Sequence, residues 1–242
     1  LNNNKIIFYP TSPEAPSAKF PPVLGKHVVP DWYKDITKFN KSNSPKDANI
    51  YNSGTGIDGS AISVKICSPF YDALTSGYFA ILSEDIEILI NDKGVPDIKW
   101  ESDEFLFNRL PMVEIPIPEF HHPIAFTYRM SFGVELPKGY SLLVTQPFNR
   151  HDLPFTIPSA IVDADTKFFP IDIRLFLKRG FEGKIKKGTP IYQMIPFKRE
   201  SWEMETDYNE KNIKERFWFH EKRRKYLFAW YHHHAHVKKE FS

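Results

Sequence analysis

An apolar run that closes on two carboxylates, Ala160-Ile-Val-Asp-Ala-Asp165, puts Asp163 and Asp165 at the end of a strand, where an aspartate can orient water or hold a hydroxylated ligand. A second polar group leaves the strand Ser141-Leu-Leu-Val-Thr145 as Gln146-Pro-Phe-Asn-Arg150, which offers a carboxamide at Asn149 and a guanidinium at Arg150, with His151 following. Asp163, Asp165 and Arg150 are therefore the candidate catalytic residues. Asn149, Arg150, Asp163 and Gln193 form the candidate ligand-binding set.

The densest group of metal-ligating side chains is His232-His-His-Ala-His236, and on a helix His232 and His236 share a face at the i, i+4 spacing that zinc ligands often use. His121 and His122, before Pro123, are a second candidate pair. Neither group has a closing third ligand nearby, so a solvated, basic helix end is the simpler reading of the tail. The run Gly54-Thr-Gly-Ile-Asp-Gly59 spells G-x-G-x-x-G, a pyrophosphate cradle only between a buried strand and a helix. Polar residues precede it and a β-like run follows, so a flexible loop explains the glycines better. Lys222-Arg-Arg-Lys225 with Trp218, Tyr226 and Trp230 combines phosphate-seeking charge with stacking rings, but Glu210, Glu215 and Glu221 dilute that charge.

The elements that must position these residues are mostly strands. In 242 residues, 20 Pro against 11 Gly, with 21 Phe and 11 Tyr, favour short strands joined by stiff turns. A formal charge of +2 argues against nucleic acid as the main partner, and a single cysteine, Cys67, excludes an internal disulfide. There is no long apolar run, so no membrane span is expected, and the polar N-terminal stretch does not read as a signal peptide. An intracellular or particle-associated protein is the expectation.

Strands are predicted at 5–9, 62–66, 78–82, 86–90, 98–100, 125–132, 141–145, 160–162, 171–177 and 191–197, with helical turns at 30–36 and 69–74, the second ended by Gly77. Gly188 is expected to turn a hairpin between two strands of the 181–195 stretch. Residues 1–206 read as one β domain with a proline-rich arm at 10–30 and an exposed loop at 40–60. Residues 207–242 read as an amphipathic helix, opened by a capping box at Asp207-x-x-Glu210 and broken near the histidines, packed on the domain or on a partner.

The turn Pro137-Lys-Gly-Tyr140, the run ending at Asp163, and Lys187-Gly188 followed by Ile191-Tyr-Gln193 together resemble the core of the dUTPase and dCTP deaminase superfamily over Leu136 to Phe197. The resemblance implies a mainly β fold, a dUTPase-like β-clip or barrel with short N-terminal helices and the C-terminal helix added. It implies that Asp163 matches the aspartate that holds the sugar and orients water, and that Gln193 matches the glutamine of the later strand. The chain departs from that pattern where it matters for chemistry. Pro147-Phe-Asn-Arg150 replaces the arginine-serine-serine phosphate motif, Thr166 replaces the stacking tyrosine, and neither the glycine-rich arm of the dUTPases nor the deaminase glutamate is found. As a whole, including Val64 to Tyr78 and Ile191 to Trp202, the chain also resembles an uncharacterised family of tailed phages, which implies a phage or bacterial source.

The expected function is ligand or partner binding on a dUTPase-like scaffold without competent dUTP hydrolysis. An enzyme acting on a nucleotide or small metabolite through Asp163 and Asp165 is one alternative, and a virion or assembly component is another. The sequence names no cofactor. A homo-oligomer, with a trimer the favoured count, is the expected state.

Overall fold

The structure, a computed structural model, describes residues 4–41, 60–110, 116–166, 169–225 and 229–241. The G-x-G-x-x-G run, most of the expected 40–60 loop and Tyr226 lie outside these residues, as do the side chains of 222–225 and Trp230. The fold is mainly β. Its strands are β1 Ile7–Pro10, β2 Val23–Leu24, β3 Phe39–Lys41, β4 Ser60–Ile62, β5 Tyr78–Ile81, β6 Ile86–Ile90, β7 Pro96–Lys99 and β8 Phe107–Leu110. They continue with β9 His121–Glu135, β10 Tyr140–Thr145, β11 Phe155–Thr156, β12 Ala160–Val162, β13 Phe169–Lys178, β14 Gly183–Ile185 and β15 Pro190–Lys198. The α-helices are α1 Asp31–Asp35, α2 Ser68–Thr75, α3 Glu210–Lys225 and α4 Ala229–His234.

The chain divides into two compact units, one of residues 1–28, 74–199 and 241–242, the other of 29–73 and 200–240. In the first, the long β9 pairs with β13 along one edge and with β8 and β1 along the other, and β11 extends the sheet beyond β13. A second sheet runs β12-β10-β15-β5-β2, and a third β14-β6-β7. All pairings are antiparallel, and among the described residues no sheet closes into a barrel. The alternation expected of half-buried strands appears in β6, where Ile86 and Ile88 are buried and Glu87 is exposed. Its hairpin partner is β7, as the Asn91–Gly94 turn predicts. Phe79, Leu82, Ile88, Phe126, Leu142, Phe155 and Tyr192 are enclosed in the core of this unit, each buried aliphatic or aromatic side chain contributing about 1.5–3 kcal/mol.

Two local expectations are corrected. Gly188 does turn the chain, with φ 82°, but β14 pairs with β6 while β15 lies between β10 and β5, so the turn passes the chain from one sheet to another. A glycine turn reports a change of direction, not which strands will pair. The 62–66 stretch splits: β4 ends at Ile62, and Val64–Ile66 is a 3-10 turn whose Ser63 Oγ accepts from the Lys65 amide at 3.2 Å. Such a side-chain acceptor competes with the strand ladder for the same amide.

In the second unit, β3 pairs with β4. Tyr33 is the buried residue of α1, its ring stacked on Phe70 at 6.1 Å and on Tyr71 at 5.8 Å. The Lys65 ammonium lies 4.7 Å from the Tyr33 ring centre and donates to the Tyr33 and Lys34 carbonyls at 2.6 and 3.0 Å, a cation at the negative end of a short helix. The C-terminal helix is capped by Asn209, not Asp207: Asn209 Oδ1 accepts from the Lys211 amide at 3.0 Å and the Asn212 amide at 3.3 Å, while Asp207 accepts from the Asn209 amide at 2.9 Å. The Asn209 amide, then the Asn212 side-chain amide donating to Asp207 Oδ2 at 2.9 Å and the charge of Arg216, hold the Asp207 carboxyl below its ordinary range. From Lys211 to Phe219 every side chain is exposed, so no face of this part of the helix is buried.

Candidate functional site

Strand β10 organises the polar residues of the first unit, because β12 lies on one side of it and β15 on the other. At its start, Ser141 Oγ donates to Asp163 Oδ1 at 2.6 Å. Arg199, the residue after β15, reaches back over this end. Its Nη1 donates to Asp163 Oδ1 and Asp165 Oδ1 at 3.1 Å each and to the Tyr140 carbonyl at 3.1 Å, and its Nη2 donates to Asp165 Oδ2. The Gly139 amide completes the shell of Asp165 at 2.7 Å.

The two carboxylates differ in setting. The Asp165 side chain is 2% exposed, whereas that of Asp163 is 63% exposed. The Arg199 guanidinium, then the Gly139 amide, hold the Asp165 carboxyl below the ordinary carboxylate range, and Asp165 in turn raises Arg199. A carboxylate whose lone pairs are taken by a guanidinium and an amide is a poor base, since both interactions favour the charged form it would have to give up. The arrangement fastens the Pro137–Tyr140 turn to the ends of β12 and β15.

The other sequence candidates sit at the far end of β10. Thr145 is opposite Gln193 and Ser141 opposite Phe197, so about 13 Å of strand separates Gln193 from Asp163. Gln193 is fully buried; its Nε2 donates to the Ser76 carbonyl at 2.7 Å and its Oε1 accepts from the Phe148 amide at 2.9 Å. Asn149 occupies the left-handed region at φ 59°, which asparagine tolerates, within a turn closed by the Arg150 amide on the Pro147 carbonyl at 3.2 Å. Arg150 forms a two-pronged pair with Asp152, Nε to Oδ1 at 2.9 Å and Nη2 to Oδ2 at 2.8 Å, and its Nη1 donates to the Val28 carbonyl at 3.2 Å. The structure thus brings Asp163 to Asp165, and Asn149 to Arg150 and Gln193, as two separate groups.

The histidines fall in different units. In the first, His121 Nδ1 donates to the Glu119 carbonyl at 2.8 Å and Nε2 shares a hydrogen bond of 3.0 Å with the Thr156 hydroxyl. His122 is buried with no hydrogen-bond partner at Nε2, and burial, then Arg179, then His121, push its pKa down. In the second unit, His232 Nδ1 lies 2.9 Å from Ser68 Oγ and His236 Nε2 3.0 Å from Asp72 Oδ2. Ser68 and Asp72 are one turn apart on α2 and their partners one turn apart on the tail, so the two i, i+4 pairs interlock. The sequence hides Asp72 as a partner, because 164 residues separate it from His236.

Among the described residues no three His, Cys, Asp or Glu side chains are grouped to hold a metal ion, and Lys239 Nζ shares Asp72 Oδ2 at 3.0 Å. A cation would have to displace that ammonium. Ni²⁺ or Zn²⁺ is therefore expected to bind the tail weakly, and chelation is expected to leave the melting temperature unchanged. Stoichiometric metal that survives dialysis, with destabilisation by chelator, would mean a closed site.

No family model matches the chain, and no curated protein matches it. Among solved structures it is distantly similar to phage dUTPases. One, the dUTPase of phage phi11 of S. aureus, is matched at TM-score 0.31 and 11% identity over 55% of this chain and 84% of that one. Another, the dUTPase of Staphylococcus bacteriophage 80alpha in a complex with dUpNHpp, is matched at TM-score 0.29 and 13% identity over 55% of this chain and 86% of that one. Likeness of this degree transfers neither a site nor an activity.

Proposed function

We propose that this protein is a ligand- or partner-binding protein on a dUTPase-like β scaffold, without competent dUTP hydrolysis. The observation that carries the reading is the pairing of Asp163 and Asp165 with Arg199: a guanidinium stands on Asp163, the carboxylate that the sequence pattern from Leu136 to Phe197 would assign to water and sugar, and on its neighbour Asp165. Mg²⁺ needs free carboxylate oxygens together with substrate phosphates, and this donor set, with Asp165 enclosed and matched, does not fit that need. Arg150 and Gln193 would serve a ligand at the other end of β10 only by exchanging their present partners.

A second reading, an enzyme acting on a nucleotide or small metabolite, is favoured by one feature, the exposure of Asp163 beside the Ser141 hydroxyl. Purified protein is expected to show no hydrolysis of dUTP and no deamination of dCTP with Mg²⁺ present. Turnover above that of a variant carrying Asp163→Ala and Asp165→Ala would establish the enzymatic reading instead.

The binding reading includes self-association, with a trimer the favoured count from the family resemblance, and a place in the cytoplasm of an infected or bacterial host cell or in a virion assembly. No described helix is long and apolar enough to cross a membrane.

A further inference from the structure

We propose that a cavity between the proline-rich arm and the sheets of the first unit is a binding site for one structural water, held by the Ser17 hydroxyl. It lies where Ser17 and Phe20 of the arm meet Ile81 and Ser83, at and just after the end of β5, and Tyr128 and Ser131 of β9. Ser17 is 3% exposed, and its hydroxyl is enclosed with no hydrogen-bond partner in the protein. Such a group gives up its hydrogen bonds to solvent on folding and regains none, so it destabilises the fold unless a bound molecule takes it up.

Size and charge select the occupant. The cavity offers about 10 Å³ to the centre of a water-sized sphere, and one water takes about 10–15 Å³ on that measure, so nothing larger fits. Its lining carries hydroxyls and apolar groups but no charged side chain, which disfavours an ion, since a buried charge needs a partner of opposite sign. A buried water typically needs about two to four polar partners. Ser17 is one. The Tyr128 hydroxyl, which donates to the Ile81 carbonyl at 3.3 Å, keeps its oxygen lone pairs as acceptors, and Ser83 and Ser131 bring two further hydroxyl side chains to the lining.

The site lies at a junction that is fastened on either side of Ser17. The Ser17 amide donates to Glu104 Oε1 at 2.8 Å, the Lys187 ammonium lies 3.6 Å from the Phe20 ring centre, and the Thr11 amide donates to the Ser131 carbonyl at 2.8 Å. These contacts hold the arm against the sheets, and the Ser17 hydroxyl reaches the sheets through the water.

The test is water–protein cross-relaxation by NMR on the full chain, together with thermal melts of Ser17→Ala. A long-lived water should give cross-peaks to the Ser17 β-protons and the Tyr128 ring protons. Ser17→Ala removes the hydroxyl and keeps the β-carbon, and it should lower the melting temperature by about 2–4 °C, because the water loses a partner. If no water is held, the same substitution removes an unpaired buried hydroxyl and leaves the melting temperature unchanged or raises it, which overturns the proposal. Absence of the cross-peaks in the wild-type protein also overturns it. A water signal at Tyr128 that persists unchanged in Ser17→Ala overturns the role of Ser17.

Discussion

Gly77→Ala is expected to be the most damaging single-methyl substitution in the first unit, lowering the melting temperature by on the order of 10 °C or abolishing soluble expression. Gly77 has φ 75°, and a Cβ built there would stand 2.1 Å from the Met194 carbonyl oxygen and 3.0 Å from its carbon. The methyl group meets backbone of β15, which cannot swing aside as a flexible side chain would. Gly94→Ala is the control: its φ is 72°, but nothing lies within 4 Å of the added atom. It should show only the backbone cost of the left-handed region, about 1–2 kcal/mol. Thermal melts of the two variants separate the clash from the torsion, and equal losses would mean that the close approach to β15 is absent.

Gln193→Ala should cost about 3 kcal/mol and Gln193→Met about 2 kcal/mol, because both leave the Ser76 carbonyl and the Phe148 amide without their bonds and only the alanine also opens a cavity. Urea titration measures both. The residue is fully buried, so the effect is on folding and needs no ligand. If instead Gln193→Met left stability unchanged and weakened binding of a nucleotide, Gln193 would be a ligand-binding residue, and its hydrogen bonds would be exchanged when the ligand enters. Gln193 and Gly77 act at one junction, where β15 receives the chain leaving α2.

Much of the fold is legible because it is local. The alternation in Ile86 to Ile90, the turn at Asn91–Gly94 and the glycine ending the helical run at Gly77 each express a period or a torsion that a few neighbouring residues define. Pairing is not local. The turn at Gly188 is legible, but β14 and β15 find different partners, and only the packed sheets decide which. The same limit hid the candidate site. Asp163 and Asp165 stand out as carboxylates ending an apolar run, whereas Arg199 has no local signature and lies 34 residues from Asp165. Register alone makes them neighbours, since β10 lies between the strands that Asp163 and Arg199 follow. Asp207 shows a related ambiguity, because Asp207 and Asn209 both suit a helix cap and the geometry of the first turn chooses Asn209.

The paired state of the aspartates can be measured directly by following the Asp165 side-chain carboxyl carbon with NMR as pH is lowered. Because Arg199 and the Gly139 amide favour the charged form, its midpoint should fall below the ordinary aspartate value of about 3.9, and the stability they confer should be full above that value and lost as pH falls through the lower folded midpoint. Arg199→Ala should move the midpoint up. A midpoint in the wild-type protein well above 4, unmoved by Arg199→Ala, would mean that Arg199 does not hold Asp165 in its charged form, and would contradict the account of Asp163, Asp165 and Arg199 as a fastening rather than a catalytic group.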